Sequence, residues 1–351
     1  MLREAAGRRR SFVRLQFALA LACATLLGAD VLRETAARSP PSIARRPSPP
    51  PPFSWARAHC AATMTALRDA KPGAEWPPPC PLPLARRAAF ERASMPIREH
   101  ACLAQRYEGA RNLSWSAAYI EKLRADLASG LASGSYGASE TASLRAGLRA
   151  LPEPVRGAVA LVMGTEVPWV EALLLNEEAH LVHTFEYSTI SVGHERMRAK
   201  PCQAVAADAL AGAFAPVDLV VSFSSLEHSG LGRYGDALNP DGDRDAVAQA
   251  WCLLKPGGLL VLGVPMSCAD EGETVFNAHR IYGFERLAFV TANFELEGFV
   301  GGACRKELGQ PIVVLRRPVD AAAQPPPLLA GDFARLALGG ASRECSSSDP
   351  L

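Results

Sequence analysis

The sequence carries almost no net charge, and this limits the partners that the protein can bind. Its 37 basic and 36 acidic residues give a net charge of +1 at pH 7. The arginines are scattered apart from an N-terminal cluster, and no basic stripe interleaved with aromatic residues occurs. Nucleic-acid binding depends on such a concentration of positive charge. We therefore predict no nucleic-acid partner.

The sequence also lacks zinc motifs and a long apolar run. The spacing of the nine cysteines matches no zinc pattern. The uncharged run at residues 15–29 is about fifteen residues long, whereas roughly twenty are needed to span a bilayer. Because arginines precede this run, we still predict a targeting segment. The favoured form is an uncleaved signal anchor at residues 12–32, with Arg14 snorkelling and the rest of the chain in the lumen.

Composition divides the chain into five segments. Residues 1–38 are the predicted signal anchor or signal peptide, and residues 39–56 form a proline-rich linker that extends as a stiff stalk. Residues 57–156 are a mainly helical lead-in, residues 157–317 a core domain and residues 318–351 a flexible tail. We predict a secretory-pathway or Golgi membrane protein with one span and a lumenal domain. A secreted or an organellar protein is the alternative.

Cysteines and a glycosylation sequon fit a lumenal lead-in. An oxidising lumen would pair two of the three cysteines Cys60, Cys80 and Cys102. The sequon at Asn112 is usable only if this region enters the secretory pathway. The cysteines in or beside predicted core elements are expected to be buried small apolar residues, and they are Cys202, Cys252 and Cys268.

Two short apolar runs predict the core. Residues 217–223 lead into polar residues 224–228, and a second run follows the turn at residues 256–258. A helix capped by Asp243 lies between them. A right-handed crossover makes such strands parallel neighbours. We therefore predict an α/β fold with a Rossmann-like, doubly wound, mostly parallel sheet and a ligand at the carboxyl ends of its strands.

The predicted strand ends carry the candidate ligand-binding residues. The first strand, residues 158–163, leads into Gly164, where backbone N–H groups can approach a ligand. The second strand ends at Glu186, whose carboxylate can accept both hydroxyls of a ribose or simply be a solvated acid. We place Asp208 at the end of the third strand, where it binds an adenine amino group or caps the next helix.

This order of elements resembles the class I S-adenosylmethionine-dependent methyltransferases over about residues 157–317. A closer resemblance is to a eukaryotic group known as domain of unknown function family 268. It is carried by Pro168-Trp169-Val170-Glu171, residues 227–236, Asn239-Pro240-Asp241-Gly242-Asp243, residues 277–283 and residues 310–315.

The resemblance implies S-adenosylmethionine as cofactor. The implied cofactor-binding residues are Gly164, Thr165, Glu166, Glu186, Asp208 and Ser224. The sequence departs from the methyltransferase pattern at residues 165–168, where side chains replace the usual glycines and crowd the methionine site.

The resemblance also places candidate catalytic residues beyond the fourth strand. His228 is the first candidate for the base that removes a proton from the methyl acceptor, and His279 is the second. Glu227 or Asp236 can orient either imidazole. In an alternative interpretation, Glu227 and His228 only shape the cofactor loop.

Three functions remain open from the sequence. The first is methyl transfer to a small-molecule or glycan acceptor. The second is a non-catalytic binding or scaffold protein, which the degenerate first loop favours. A glycosyltransferase is third, although Asp241-Gly242-Asp243 lies before a helix instead of in a suitable strand-end loop. The same two aspartates resemble half a calcium loop without the rest of the pattern. The sequence contains no feature that indicates the oligomeric state.

Overall fold

The computed structural model describes residues 57–71, 77–103, 112–267, 269–300, 309–320 and 328–337. The predicted signal anchor and proline-rich linker lie outside these residues, as does Cys268. Within the described ranges, no helix has the length and apolar character needed to cross a membrane.

Helices and strands alternate through most of the described chain. The helices are α1 (Arg57–Arg68), α2 (Leu84–Phe90), α3 (Ala117–Ser129), α4 (Ala138–Arg149), α5 (Trp169–Asn176), α6 (Cys202–Leu210), α7 (Gly242–Leu253), α8 (Phe284–Val290) and α9 (Ala330–Ala337). The strands are β1 (Ile97–His100), β2 (Asn112–Trp115), β3 (Val159–Met163), β4 (Leu181–Glu186), β5 (Thr189–Val192), β6 (Met197–Pro201), β7 (Val217–Phe223), β8 (Leu254–Gly263), β9 (Glu273–Phe276), β10 (His279–Ile281), β11 (Glu295–Val300) and β12 (Ile312–Arg316).

The main sheet is doubly wound, as predicted. Its strand order in the described residues is β11-β12-β8-β7-β3-β4-β6. The run from β8 to β6 is parallel, while β12 is antiparallel to both β8 and β11. The chain winds outward from β3 through β4 to β6 and then returns to β7 on the other side of β3. This reversal creates a topological switch point between β3 and β7, where sheets of this kind bind ligands.

Apolar side chains cover both faces of this sheet. Successive residues of a strand point to opposite faces, so Val220 belongs to one buried cluster and Val221 to the other. Helices α1, α6, α7, α8 and α9 contribute to the first cluster, and α3, α4 and α5 contribute to the second. Because the central strands are buried on both faces, β3 is apolar throughout and β7 is apolar except at Asp218 and Ser222.

Three predicted boundaries need correction. The third strand is β6, an edge strand whose alternating burial leaves little apolar signal, so Asp208 lies on α6 and not at a strand end. Helix α7 is capped at Asp241, and Asp243 lies inside its first turn. The predicted flexible tail contains α9, which packs against α8 because its amphipathic face buries Phe333.

The lead-in is tied to the core by a disulfide. Cys60 on α1 is bonded to Cys252 on α7, which corrects the prediction that Cys252 is a simple buried apolar residue. A second disulfide joins Cys80 and Cys102 within the lead-in. Cys202 is a buried free thiol, as predicted.

The lead-in also contributes strands to small sheets. Strand β1 pairs in parallel with β9, which pairs with β10, and β2 pairs with β5. Ser116 caps α3 by accepting a hydrogen bond from the Tyr119 backbone N–H at 3.1 Å. A third apolar cluster joins Phe90 and Ile97 of the lead-in to Leu231 and Phe276 of the core.

A buried ionic network connects the segments that carry the family resemblance. Asp243 is fully buried and accepts hydrogen bonds from Arg286 Nε and the Tyr282 hydroxyl, each at 3.0 Å. Arg280 Nε lies 3.6 Å from the same carboxylate, and its Nη1 donates to the Ser229 carbonyl at 2.7 Å. Burial raises the pKa of Asp243, but the two guanidinium groups outweigh it and lower this pKa to about 2.

We expect Asp243→Asn to lower the free energy of unfolding by about 3–5 kcal/mol, because it removes the buried carboxylate that Arg280 and Arg286 share and leaves only Asp241, 3.7 Å from Arg286. Urea denaturation at pH 7 measures this loss. Since the folded-state pKa is depressed, the stabilisation is present above the unfolded pKa and is lost only as pH falls toward about 2. The matched control is Glu271→Gln, which breaks the exposed Arg98–Glu271 pair and costs less than about 1 kcal/mol. Equal losses in both variants would contradict the structural role of the network.

Candidate functional site

A cavity of about 690 Å³ opens at the carboxyl ends of β3, β4 and β7. It therefore lies at the switch point, where the sequence places a ligand. Glu186 at the end of β4 and His228 beyond β7 both line it. Its further lining residues include Gly164, Thr165, Glu166, Ser224, Ser225, Arg233, Tyr234, Asp236 and Tyr136.

Gly164 lets the first loop turn closely against the loop after β7. Its φ angle is +83°, in the left-handed region that favours glycine. A Cβ atom at Gly164 would lie 1.8 Å from Ser225 Oγ. After this turn, the Thr165 hydroxyl donates to the Val167 carbonyl at 2.6 Å. The position that requires glycine is therefore retained, although side chains occupy the next four residues.

Glu186 is held by backbone donors. Its Oε2 accepts the Thr165 N–H at 2.8 Å and its Oε1 accepts the Tyr187 N–H at 2.7 Å, and Ser188 supplies a further backbone donor. Burial raises the pKa of Glu186, whereas these donors oppose the rise. A carboxylate offers about four acceptor positions. Glu186 can therefore accept a further hydroxyl from the cavity side.

A carbonyl oxygen fixes the tautomer of His228. The Nδ1 atom lies 2.6 Å from the Ala278 carbonyl oxygen, which can only accept, so Nδ1 carries the proton and donates it. The Nε2 atom then holds a lone pair. Burial lowers the pKa of His228 to about 3, and the nearby Arg233 adds to this effect. The imidazole is therefore neutral at pH 7, with its Nε2 lone pair unprotonated.

Glu227 lies beside this imidazole in the interior. The Ser224 hydroxyl donates to Glu227 Oε1 at 2.7 Å, and this oxygen lies 3.6 Å from His228 Nε2. Glu227 Oε2 is buried and has no hydrogen-bond partner among the described residues. Burial raises the pKa of Glu227 to about 7, although the Ser224 hydrogen bond opposes the rise.

Two predicted site residues, Asp208 and His279, lie outside the cavity lining, and a third, Asp236, has another role. Asp208 faces Lys200 on the surface and is not among the cavity-lining residues, because its helix follows the third strand. The ring of His279 lies 6.3 Å from that of His228, outside the lining. Asp236 lines the cavity, but its carboxylate accepts backbone N–H groups of its own loop, from Gly230 at 2.6 Å and Gly232 at 3.2 Å. Its geometry supports a role in loop structure and not in orienting an imidazole.

Sequence reasoning missed two residues at this site. Tyr136 of the lead-in donates its hydroxyl to the Ser224 carbonyl at 3.2 Å, and its ring lies 5.6 Å from that of Phe223. Gln310, which precedes β12, donates from Nε2 to Ser224 Oγ at 3.1 Å. An aromatic residue between two glycines, Gly134 and Gly137, is the local signal that points to Tyr136. Gln310 opens segment 310–315, which carries the family resemblance, but nothing local in that segment indicates the contact with Ser224.

The sheet order and the switch-point cavity define a Rossmann-like α/β domain with a methyltransferase-like fold. Residues 157–308 match the family described as "Caenorhabditis protein of unknown function, DUF268". This match confirms the predicted family resemblance for that part of the chain. No significant match to a curated protein was found.

Solved structures similar to this chain include S-adenosylmethionine-dependent enzymes. One is the 1,6-didemethyltoxoflavin-N1-methyltransferase of Burkholderia thailandensis with bound S-adenosylhomocysteine, at 20% identity and a TM-score of 0.39, covering 59% of this chain and 92% of that chain. Another is the N-methyltransferase NodS of Bradyrhizobium japonicum, at 16% identity and a TM-score of 0.35, covering 57% of this chain and 98% of that chain. These matches identify no substrate or activity for this chain.

We expect Gly164→Ala to lower the free energy of unfolding by about 2–4 kcal/mol, because it adds both a left-handed φ penalty and a clash with Ser225. Gly212→Ala is the matched control, since Gly212 has a φ angle of +72° with no atom within 4 Å of its added Cβ. It should cost about 1 kcal/mol. Chemical denaturation of both variants measures the difference. Equal losses would show that Ser225 does not pack against Gly164.

Proposed function

We propose that this protein is an S-adenosylmethionine-dependent methyltransferase that acts on a small-molecule or glycan acceptor. The observation that carries the proposal is the shared cavity of Glu186 and His228 at the switch point of the sheet. One side offers a buried carboxylate for a nucleoside hydroxyl, and the other offers a neutral imidazole for proton transfer. A cavity of about 690 Å³ is within the usual size range of small-molecule sites.

The residues at the cavity fit this cofactor. Glu186 would hold a ribose hydroxyl, because its carboxylate retains one acceptor position beside its three backbone donors. Gly164 keeps the backbone turn that a close approach to the ligand requires. Glu166 and Thr165 line the cavity next to this turn, where Glu166 would hold the ammonium group. Val167 also lines the cavity, and its side chain is partly exposed.

In the proposed reaction, the protein aligns the acceptor and removes its proton. S-adenosylmethionine, when bound, supplies an electrophilic methyl group and retains the C–S electron pair on sulfur. The acceptor's O–H or N–H proton moves to His228 Nε2, whose lone pair is available because Ala278 fixes the other nitrogen. The nearby Glu227 carboxylate stabilises the resulting imidazolium.

Aromatic residues support an acceptor side on the same cavity. The Tyr234 ring lies 5.4 Å from the His228 ring, and Arg233 lies over the Tyr234 ring at 5.1 Å. Tyr136 lines the cavity from the lead-in. Tyrosine rings offer apolar faces to a flat or ring-shaped acceptor. This arrangement favours a ring-containing acceptor, which includes both small molecules and sugars.

A non-catalytic binding protein is the second candidate. The observation that favours it is the loop at residues 165–168, where the resemblance to methyltransferases predicts glycines. In this case the fold would bind a partner or ligand without methyl transfer. Cofactor binding separates the two candidates.

We expect calorimetric titration of the full chain to give binding of S-adenosylmethionine and S-adenosylhomocysteine. Glu186→Ala should weaken both at least about tenfold, equivalent to about 1.4 kcal/mol, because it removes the acceptor of a ribose hydroxyl. Asp208→Ala is the control and should bind as the unmodified protein does, since Asp208 lies outside the cavity lining. A folded protein that gives no heat with either ligand would favour the non-catalytic alternative.

We also propose that the domain resides in the lumen of the secretory pathway, anchored by its N-terminal segment. Two disulfides in the described residues and the exposed Asn112 sequon support an oxidising, glycosylating compartment. In a eukaryotic secretory host, enzymatic deglycosylation should increase gel mobility, and Asn112→Gln should remove this shift. Non-reducing peptide mapping should recover the Cys60–Cys252 and Cys80–Cys102 pairs. Free thiols at all four positions would contradict this location.

A further inference from the structure

We propose that Ser224 and Gln310 are positioning residues that favour the ionised form of Glu227 beside His228. The role of Glu227 and His228 in taking a proton from the methyl acceptor rests on the proposed methyltransferase function. The sequence assigns Ser224 to cofactor binding, but its hydroxyl already bonds to Glu227 and Gln310. Ser224 therefore acts through Glu227 instead of through the cofactor.

The hydrogen bonds from Gln310 to Ser224 and from Ser224 to Glu227 have a defined direction. An amide N–H can only donate, so Ser224 Oγ accepts from Gln310 Nε2 at 3.1 Å. The hydroxyl proton is then directed to Glu227 Oε1 at 2.7 Å. A hydrogen bond donated to a carboxylate favours its ionised form. Gln310 thus orients Ser224, and Ser224 stabilises the charge on Glu227.

The backbone of Ser224 is fixed independently of its side chain. Its φ angle is +49°, and its N–H donates to the Gly263 carbonyl at 2.8 Å. Its own carbonyl accepts the Tyr136 hydroxyl at 3.2 Å. Because main-chain bonds hold this residue, replacement of the hydroxyl removes its two side-chain hydrogen bonds, to Glu227 and from Gln310, and leaves the loop anchored.

The stabilised carboxylate faces the nitrogen that would receive the proton. Glu227 Oε1 lies 3.6 Å from His228 Nε2, too far for a hydrogen bond but close enough for a strong charge interaction. In the proposed step the proton leaves the acceptor and binds the Nε2 lone pair, while the bonding electron pair stays on the acceptor. The negative charge of an ionised Glu227 then stabilises the new positive charge on His228.

Charged and titratable groups surround this pair. Arg280 and Arg233 favour the ionised form of Glu227, whereas both oppose protonation of His228, as does His279. Burial has a larger effect than these charges on the pKa of both Glu227 and His228. It raises the pKa of Glu227 to about 7. The other titratable groups that interact with Glu227 are Tyr136, Tyr234 and Tyr282. None of these replaces the Ser224 hydrogen bond, so its loss should raise the pKa of Glu227 further.

The test is a pH titration of the cofactor-free full chain with ¹⁵N-labelled histidine, followed by NMR. His228 should keep its proton on Nδ1, and its Nε2 signal should shift with a midpoint near pH 7 as Glu227 ionises. Glu227→Gln should abolish this transition and thereby assign it. In Ser224→Ala the midpoint should rise by about one pH unit. The near-isosteric Gln310→Met should give a smaller rise in the same direction.

Ser229→Ala is the matched control, because Ser229 also lines the cavity and adjoins His228 in sequence. It should leave the midpoint unchanged. An unchanged midpoint in a folded Ser224→Ala variant would overturn the proposal, as would a proton on His228 Nε2 in the unmodified protein. Since no cofactor is present, the titration is independent of the calorimetric test. Failure of S-adenosylmethionine binding would refute the reaction and leave the measured Ser224 effect intact.

Discussion

The pairing of Asp243 with two arginines constrains the structure around the site. A buried carboxylate costs several kcal/mol unless cations and hydrogen bonds compensate it. Asp243 on α7 is compensated by Arg280 on β10 and Arg286 on α8, so these three elements must stay together. Arg280 also binds the carbonyl of Ser229, the residue after His228. The position of the candidate base therefore depends on a charge network that lies outside the cavity.

The lead-in completes the site and is not a separate spacer. Strand β1 pairs with β9, and the hairpin from β9 to β10 carries the Ala278 carbonyl that fixes the tautomer of His228. Tyr136 reaches the cavity from the segment before α4, and a disulfide joins α1 to α7. A domain cut at residue 157 would lose each of these contacts. The match to the family at residues 157–308 therefore covers only part of the structural unit around the site.

Local sequence patterns predict the buried strands and the sheet edge that carries the site, but not the contacts between residues far apart in sequence. Buried parallel strands are continuous apolar runs whose carboxyl ends share one edge, which is why Glu186 and His228 reach one cavity. The edge strand β6 alternates with polar residues and was missed, so Asp208 was misplaced. Gln310 meets Ser224 across 86 positions of sequence, and no local pattern can reveal such a contact. Likewise, a helix-cap pattern cannot distinguish a cap at Asp243 from a buried ion pair.

Burial reverses the usual order of the acid and the base at this site. The pKa of Glu227 rises to about 7 while that of His228 falls to about 3, so a shared proton resides more favourably on the carboxylate. In the proposed reaction, a proton accepted at Nε2 of His228 can therefore pass to Glu227, 3.6 Å away, after a small side-chain movement. The imidazole returns to its neutral form with the tautomer that Ala278 imposes. The Ser224 hydrogen bond then has a defined function, because it keeps the pKa of Glu227 low enough for the carboxylate to be available at neutral pH.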